Sequence, residues 1–258
     1  VSVVGLGKAG LPLAAVMAES GINVIGLDIN EELVRKINSK ENPIPEEKGL
    51  KEILSNFVGK NLVATTDYVL ACSKATIFVV IVPLFIDSNH KADFSILKEV
   101  CERLSLYLKE GDLVVFETTM PPKSVEEELK PILDKSGKNY HLAYSPERIM
   151  TGYSISRYKE FPKIIGGLTP IAAKKAYDLY SQFCSEVNIV SDIKTAELIK
   201  IAEGLYRDQN IALANELYKV SEELGVDFWE MKKFANHQFC HIHDPGNVGG
   251  HCIPVYPW

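Results

Sequence analysis

Two residue patterns near opposite ends of this 258-residue chain are equipped for chemistry. The first is Gly5-Leu6-Gly7-Lys8-Ala9-Gly10, which follows the apolar run Val1-Ser2-Val3-Val4, opens a helical pattern, and has Asp28 at the end of the next apolar run. In that context Gly5 permits a tight turn, Gly7 lets the backbone approach a pyrophosphate, and Gly10 lets the helix pack on the strand. The N–H groups and positive dipole end of that helix favour phosphate. Asp28 would accept hydrogen bonds from ribose hydroxyls and repel a 2′-phosphate, so the pattern implies NAD over NADP. Taken alone, the glycine spacing also fits a purely structural turn.

The second pattern is Gly249-Gly250-His251-Cys252-Ile253-Pro254. A thiolate adds to an aldehyde as a thiohemiacetal, which becomes a thioester on losing hydride. The ordinary thiol pKa is about 8.5, so Cys252 would need His251, a cation or backbone N–H groups to activate it. A nicotinamide at one end and a thiol at the other imply oxidation of an alcohol to an aldehyde and then to an acid. An inert buried cysteine is the alternative. Lys200 is suited to stabilising a developing alkoxide or oxyanion; Glu147 could direct a hydrolysing water as a base, a plain loop carboxylate being the equal reading of that residue by itself. Helical spacing puts Lys200, Glu203, Gly204 and Arg207 on one face, where a substrate would meet several of them; a solvated charged face is the plainer reading. His237, Cys240, His241, His243, His251 and Cys252 are dense enough to raise a zinc site, but their spacing matches no common zinc motif and no metal is expected. His243 and His251 are candidates for substrate contact instead.

The elements that must carry these residues follow from periodicity. Strands are expected at 1–5, 23–27, 62–64, 76–82, 113–117, 141–144, 163–165 and 187–190, and helices at 11–19, 31–39, 50–57, 94–108, 124–133 and 172–183. Strand–helix alternation with continuous apolar strands predicts an α/β fold, a Rossmann-type doubly wound and mostly parallel sheet that binds ligands beyond the carboxyl ends of its strands. After Ser191-Asp192, either of which is a good N-cap, the pattern becomes one long helix at 194–224, stopped by Gly225, and a shorter one at 226–235. An NAD-binding domain is therefore expected over 1–191 and an all-helical central domain over 192–258.

Hydrophobic residues make up 46% of the chain and charged residues 24%, as in soluble globular enzymes, and the net charge of −6 with no basic stripe argues against nucleic acid. No apolar run is long enough to cross a membrane and no signal peptide precedes the first strand, so a cytoplasmic protein is expected. Five irregularly spaced cysteines do not suggest a disulfide framework. Both ends read as cut, and the chain is expected to be part of something longer.

Three further segments, Glu117-Thr118-Thr119-Met120-Pro121-Pro122, Ser145-Pro146-Glu147-Arg148 and Ala196-Glu197-Leu198-Ile199-Lys200-Ile201-Ala202-Glu203, stand in order before the cysteine loop. Together these motifs resemble the UDP-sugar 6-dehydrogenases of the UDP-glucose/UDP-N-acetylmannosamine family, over the whole chain. Ser-Pro-Glu-Arg, Tyr206-Arg207-Asp208 and the closing Pro-Val-Tyr-Pro-Trp resemble its branch acting on N-acetylated sugars. The resemblance implies NAD-dependent four-electron oxidation at C6 of UDP-N-acetylmannosamine, with UDP-N-acetylglucosamine and UDP-glucose as alternative substrates and a non-catalytic NAD-binding module as the alternative class. It implies catalytic roles for Cys252, Lys200, Glu147 and Thr119, the last positioning a water near the cofactor. Pro83 joins Gly5, Gly7, Gly10, Asp28 and Thr119 on the cofactor side. Glu147, Arg148, Lys200, Gly204, Arg207, His243, Gly249 and His251 form the expected substrate set. It further implies a C-terminal UDP-binding domain absent from these residues and a homodimer or higher homo-oligomer through the long helix. Two positions depart from the family pattern: Gly204 stands where asparagine is usual, and Tyr256 where aspartate is common.

Overall fold

A computed structural model of the chain describes residues 1–89 and 91–248. Its first part alternates β1 (Ser2–Val4), α1 (Gly10–Glu19), β2 (Val24–Leu27), α2 (Glu31–Asn38), α3 (Leu50–Phe57), β3 (Leu62–Thr65), α4 (Tyr68–Lys74) and β4 (Ile77–Val80). A short hairpin, β5 (Phe85–Ile86) and β6 (Ala92–Asp93), leads to α5 (Ser95–Ser105) and β7 (Leu113–Phe116). A π-helical turn (Val125–Leu129) then runs into α6 (Lys130–Leu133). The order continues with β8 (His141–Tyr144), α7 (Ser154–Glu160), β9 (Lys163–Gly167), α8 (Pro170–Tyr180), β10 (Val187–Val190), α9 (Ile193–Leu224) and α10 (Phe228–Ala235).

Eight strands form one sheet in the order β3-β2-β1-β4-β7-β8-β9-β10. All neighbours pair in parallel except β8 and β9. All eight expected strands are present. The inner strands are short apolar runs buried on both faces, and the two faces carry separate cores: α1, α3 and α8 cover one, while α4, α5, the π-helical turn and the first turn of α9 cover the other. The expected helix at 124–133 is not a plain α-helix. Pro131 cannot donate a backbone hydrogen bond, and the chain widens to a π-turn ahead of it. Helices α4 and α7 and the β5–β6 hairpin were not expected from periodicity.

The antiparallel joint decides where the long helix goes. The connection from β8 to β9 holds one helix, the seven-residue α7, and returns to the end of the sheet where β8 finishes. Strand β9 therefore enters from the edge where β8 ends, and β10 follows it in parallel. Helix α9 consequently leaves β10 heading outward past the carboxyl ends of the other strands. Asp192 caps it, its side chain accepting from the Thr195 N–H at 2.7 Å, and Gly225 ends it in the left-handed region at φ 66°. Its far half packs with α10 in a small third core of Ala214, Phe228 and Ile242. Among the described residues no helix is long and apolar enough to cross a membrane.

A buried ion pair stitches the joint. The Lys163 Nζ at the start of β9 lies 2.9 Å from Glu117 Oε2 at the end of β7, with side chains 5% and 0% exposed. Lys163 also donates to the Pro146 carbonyl at 3.4 Å, and Tyr180 Oη of α8 donates to Glu117 Oε1 at 2.5 Å. Removing one member of such a pair leaves the other charged and unpaired in the interior. Lys163→Met is expected to destabilise the fold by about 3–5 kcal/mol at neutral pH. In urea titrations its midpoint should fall well below wild type, and Glu117→Leu in the same background should recover part of the loss.

Candidate functional site

The glycine turn sits where the sheet order reverses, between β1 and β4. Gly5 adopts φ +94°, and a Cβ there would lie 3.0 Å from the Ile81 carbonyl oxygen. A Cβ on Gly10 would come within 1.9 Å of the Gly5 carbonyl oxygen, so the helix start is seated directly on the turn. Around Gly7 nothing lies within 4 Å of a Cβ, which leaves its backbone open to a ligand. The first turn of α1 has neither a side-chain cap nor an acidic residue, unlike α2, α4, α8, α9 and α10, each capped by a side-chain oxygen. Donors and dipole at that terminus suit an anion. Asp28 lies beside the turn: its Oδ2 accepts from the Leu6 N–H at 2.7 Å and its Oδ1 from the Asn30 N–H at 2.9 Å. These bonds aim the carboxylate while leaving lone pairs for hydroxyl donors. The residues therefore fit a dinucleotide. Pro83 follows β4 as an exposed residue of the loop that abuts Gly5.

The next loops along the same edge bring up the other candidates. Thr119 follows β7 and is partly buried, behind Thr118, whose hydroxyl donates to the Val82 carbonyl. Glu147 follows β8. Its N–H donates to the Glu117 carbonyl at 3.2 Å, and Ser145 Oγ donates to the Ile164 carbonyl at 2.7 Å, so the loop is pinned at both ends of Ser-Pro-Glu. Farther on, the buried Glu47 carboxylate accepts from the N–H groups of Gly152 and Ile155 at 2.8 and 3.1 Å.

Helix α9 meets that loop directly. Lys200 Nζ donates to the Glu147 carbonyl at 2.6 Å and lies 3.3 Å from Glu147 Oε1, with the two side chains 12% and 17% exposed. Residues 53 apart in sequence thus form one ammonium–carboxylate unit. Arg148 points the other way along the helix. Its guanidinium grips Glu203, Nε to Oε2 at 3.2 Å and Nη2 to Oε1, while Nη1 donates to the Pro162 carbonyl at 2.7 Å. In the sequence Glu203 was read only as one of four residues on a face that a substrate would meet. Its place three residues after Lys200 was the available signal, and only the fold shows its partner. A cleft of about 640 Å³ opens here, lined among others by Arg148, Arg157, Lys200, Glu203, Gly204 and Arg207. The shared helix face expected for Lys200, Glu203, Gly204 and Arg207 is present in this lining. Arg157 comes from the unanticipated helix α7.

His243 packs edge-on against Tyr206, itself in the cleft wall, at 5.6 Å between centroids. Burial, the neighbouring His241 and the cations Lys232 and Arg207 hold its pKa below the ordinary imidazole value, so its neutral form is favoured. Gly249, His251 and Cys252 lie outside the described residues. Among the described cysteines, burial pushes the Cys72, Cys101 and Cys184 thiols up to about 11, 12 and 11, which makes them poor nucleophiles at neutral pH. No group of three or more His, Cys, Asp or Glu residues that could hold a metal ion occurs among the described residues.

One more carboxylate was missed. Glu197, fully buried one turn before Lys200, accepts from the N–H groups of Lys123 and Val125 at 2.5 and 3.0 Å. Burial pushes its pKa up to about 7, against the lowering effect of those two bonds.

A doubly wound sheet with an open glycine turn, an uncapped helix and a carboxylate beside it defines a dinucleotide-binding fold joined to a helical element. Residues 1–184 match the NAD binding domain of the UDP-glucose/GDP-mannose dehydrogenase family, and residues 194–258 match that family's central domain. The chain belongs to this family. It is 38% identical over 264 residues to the UDP-N-acetyl-D-mannosamine dehydrogenase of Methanococcus aeolicus, covering 100% of this chain and 59% of that protein. Against the Escherichia coli enzyme of the same name the identity is 35%, covering 100% of this chain and 64% of that protein. A solved UDP-D-ManNAc dehydrogenase from Pyrococcus horikoshii superposes with TM-score 0.92 at 32% identity, covering 100% of this chain and 63% of that one. The chain therefore spans about three fifths of the length of these relatives.

Two outcomes test this geometry. Gly10→Ala should weaken NAD⁺ binding at least about tenfold in calorimetric titration, because its Cβ must push α1 off the turn that it seats against. The second concerns pH. The native state takes up a proton on Glu197 near pH 7, whereas the unfolded chain does so only in the ordinary carboxylate range. This group contributes stability that is full below the unfolded value and is lost as pH rises through about 7. The melting temperature of wild type should fall more between about pH 6 and about pH 8 than that of Glu197→Gln.

Proposed function

We propose that the protein oxidises the C6 hydroxyl of UDP-N-acetylmannosamine to the carboxylate, with two NAD⁺ and one water consumed per sugar. The observation that carries this reading is the Lys200–Glu147 unit, held at the edge of the sheet where the glycine turn opens and beside a cleft rich in cations. The names of the relatives support the sugar.

Gly5, Gly7, Gly10, Asp28, Pro83 and Thr119 would hold the cofactor, which when bound supplies the hydride acceptor. Lys200, its ammonium already fixed against the Glu147 carbonyl, offers a positive charge to an oxygen that becomes anionic as the alcohol is oxidised. Thr119 positions a water on the cofactor side. Cys252, as thiolate, adds to the aldehyde carbon; a second hydride loss leaves a thioester, and water cleaves it to the acid and the free thiol. Glu147 takes a proton from that water, with Lys200 beside it to hold its carboxylate in place. Arg148, Arg207, Gly204, His243, Gly249 and His251 make up the substrate side. Residues 1–191 act as the cofactor domain and 192–258 as the helical domain, with homo-oligomers formed through α9. A cytoplasmic setting accords with the four described cysteines all being free thiols.

The natural full-length protein should form two NADH per UDP-N-acetylmannosamine, followed at 340 nm, with little from UDP-N-acetylglucosamine or UDP-glucose. Cys252→Ser should keep NAD⁺ binding and stop acid formation; normal acid production would remove the covalent scheme. Absence of NADH with every sugar would favour a cofactor-binding relative with another substrate.

A further inference from the structure

We propose that Glu197 is a positioning residue of this dehydrogenase, a buried latch through which α9 sets the loop carrying Thr119 while presenting Lys200 one turn farther on. The proposal rests on the function put forward above. The carboxylate is fully buried, and both of its oxygens are committed to backbone N–H groups of one short segment, Lys123 and Val125, more than seventy residues away in sequence. Glu197 and Lys200, three residues apart, share a helix face, so whatever moves the carboxylate moves the ammonium with it.

The segment between Thr119 and Val125 has little freedom to absorb a displacement. Met120 is buried at 1% exposure, and Pro121 and Pro122 fix two successive φ angles. The Ser124 hydroxyl donates to the Pro121 carbonyl at 2.6 Å, closing a tight turn. Lys123 is held at φ 78°, a left-handed conformation that a side chain rarely adopts, and its N–H is the donor nearest Glu197. Strained backbone of this kind persists where surrounding contacts over-determine it. A carboxylate accepting that N–H is such a contact. Loosening it lets the turn relax, and Thr119 at its head shifts relative to Lys200.

The latch also titrates. Burial is the main cause of the raised pKa, and the carboxylates of Glu126 in the π-helical turn and Asp192 at the α9 cap raise it further, to about 7; the Lys123 ammonium is turned to Glu127 at 3.6 Å. Burial favours the neutral acid, yet the anion is the stronger acceptor for both N–H groups. On protonation one oxygen becomes a hydroxyl, and one donor loses full strength. Stability and loop geometry therefore respond to pH in opposite directions.

The test uses the natural full-length protein as wild type, Glu197→Gln and Glu126→Gln, with kcat and the KM for NAD⁺ measured from about pH 6 to about pH 8.5. Wild type should lose kcat as pH falls through about 7. In Glu126→Gln that limb should move to lower pH with the plateau unchanged, because a like charge has gone. Glu197→Gln should lack the limb and run roughly ten- to a hundredfold below the wild-type plateau, with KM for NAD⁺ within about twofold. Hydrogen exchange at the amides of residues 123 and 125 should be faster in Glu197→Gln above about pH 7, with the difference shrinking as wild type protonates below it. Wild-type kcat and amide protection in Glu197→Gln, or an acid limb that neither substitution moves, would overturn the latch. Should wild type reduce no NAD⁺ with any UDP-sugar, the functional reading fails and amide exchange alone decides the latch. Should Glu197→Gln not fold, the shift in Glu126→Gln and the pH dependence of wild-type amide protection decide it.

Discussion

The contact between Glu117 and Lys163 is the constraint on which the rest of the site depends. It sits under the one antiparallel joint of the sheet, where the end of β7, the Ser145–Arg148 loop, the start of β9 and α8 come together. Both charges are out of water, a placement tolerable only because Tyr180, the Pro146 carbonyl and each other supply their partners. A hydrophobic pair of similar volume could fill the same space, but it would not orient the Pro146 carbonyl or the loop above it. The backbone of Glu117 extends the same control: its N–H completes the ladder to β4 and its carbonyl receives the N–H of Glu147. One residue thereby links the strand beside the cofactor turn to the loop bearing the candidate base.

The long helix is the second half of that arrangement. Because β9 reverses, α9 starts near the end of β10 and projects past the cofactor edge, and three of its acidic and basic side chains then engage the two loops that precede it. Glu197 takes the loop after β7, Lys200 takes Glu147, and Glu203 takes Arg148. These contacts fall within two helical turns, so the helix acts as a rigid ruler between loops that the sheet alone would leave independent. The interactions differ in kind. Glu197 is dry and bonded to backbone, Lys200 is nearly dry and paired with a carboxylate, and the Arg148–Glu203 fork lies partly in water on the wall of the cleft. Burial thus decreases outward, from the sheet toward the surface a substrate would enter.

Charge follows the same gradient. Arg148, Arg157, Lys200 and Arg207 line the cleft with Glu203 as the acidic member of that group, so its field favours an anionic ligand such as the proposed diphosphate sugar. The glycine turn attracts phosphate without a cation, through the open N–H groups of α1. Two anion-favouring regions on one sheet edge, one built from backbone and one from side chains, suit a reaction that brings two phosphate-bearing molecules together.

Much of this was legible in the residues because its causes are local. Gly5 and Gly10 announce a turn that leaves no room for a side chain, Asp28 closes a strand of ordinary length, and Asp192 and Gly225 mark the ends of α9 by cap chemistry that operates within four residues. The paired roles of Lys200 and Glu147 were assigned separately from residue type and resemblance, and the fold brings them into contact. What the sequence could not decide depended on partners distant along the chain. Helices α4 and α7 are only seven residues each, too short for a 3.6-residue period to register, and α7 brings Arg157 to the cleft. Strand direction at β8–β9 leaves no mark on either strand's composition. Glu197 and Glu203 are the same residue type on the same helix. One became a dry, proton-hungry latch and the other a half-exposed clamp, because burial and partner are properties of what packs against a side chain, and that is settled only in three dimensions.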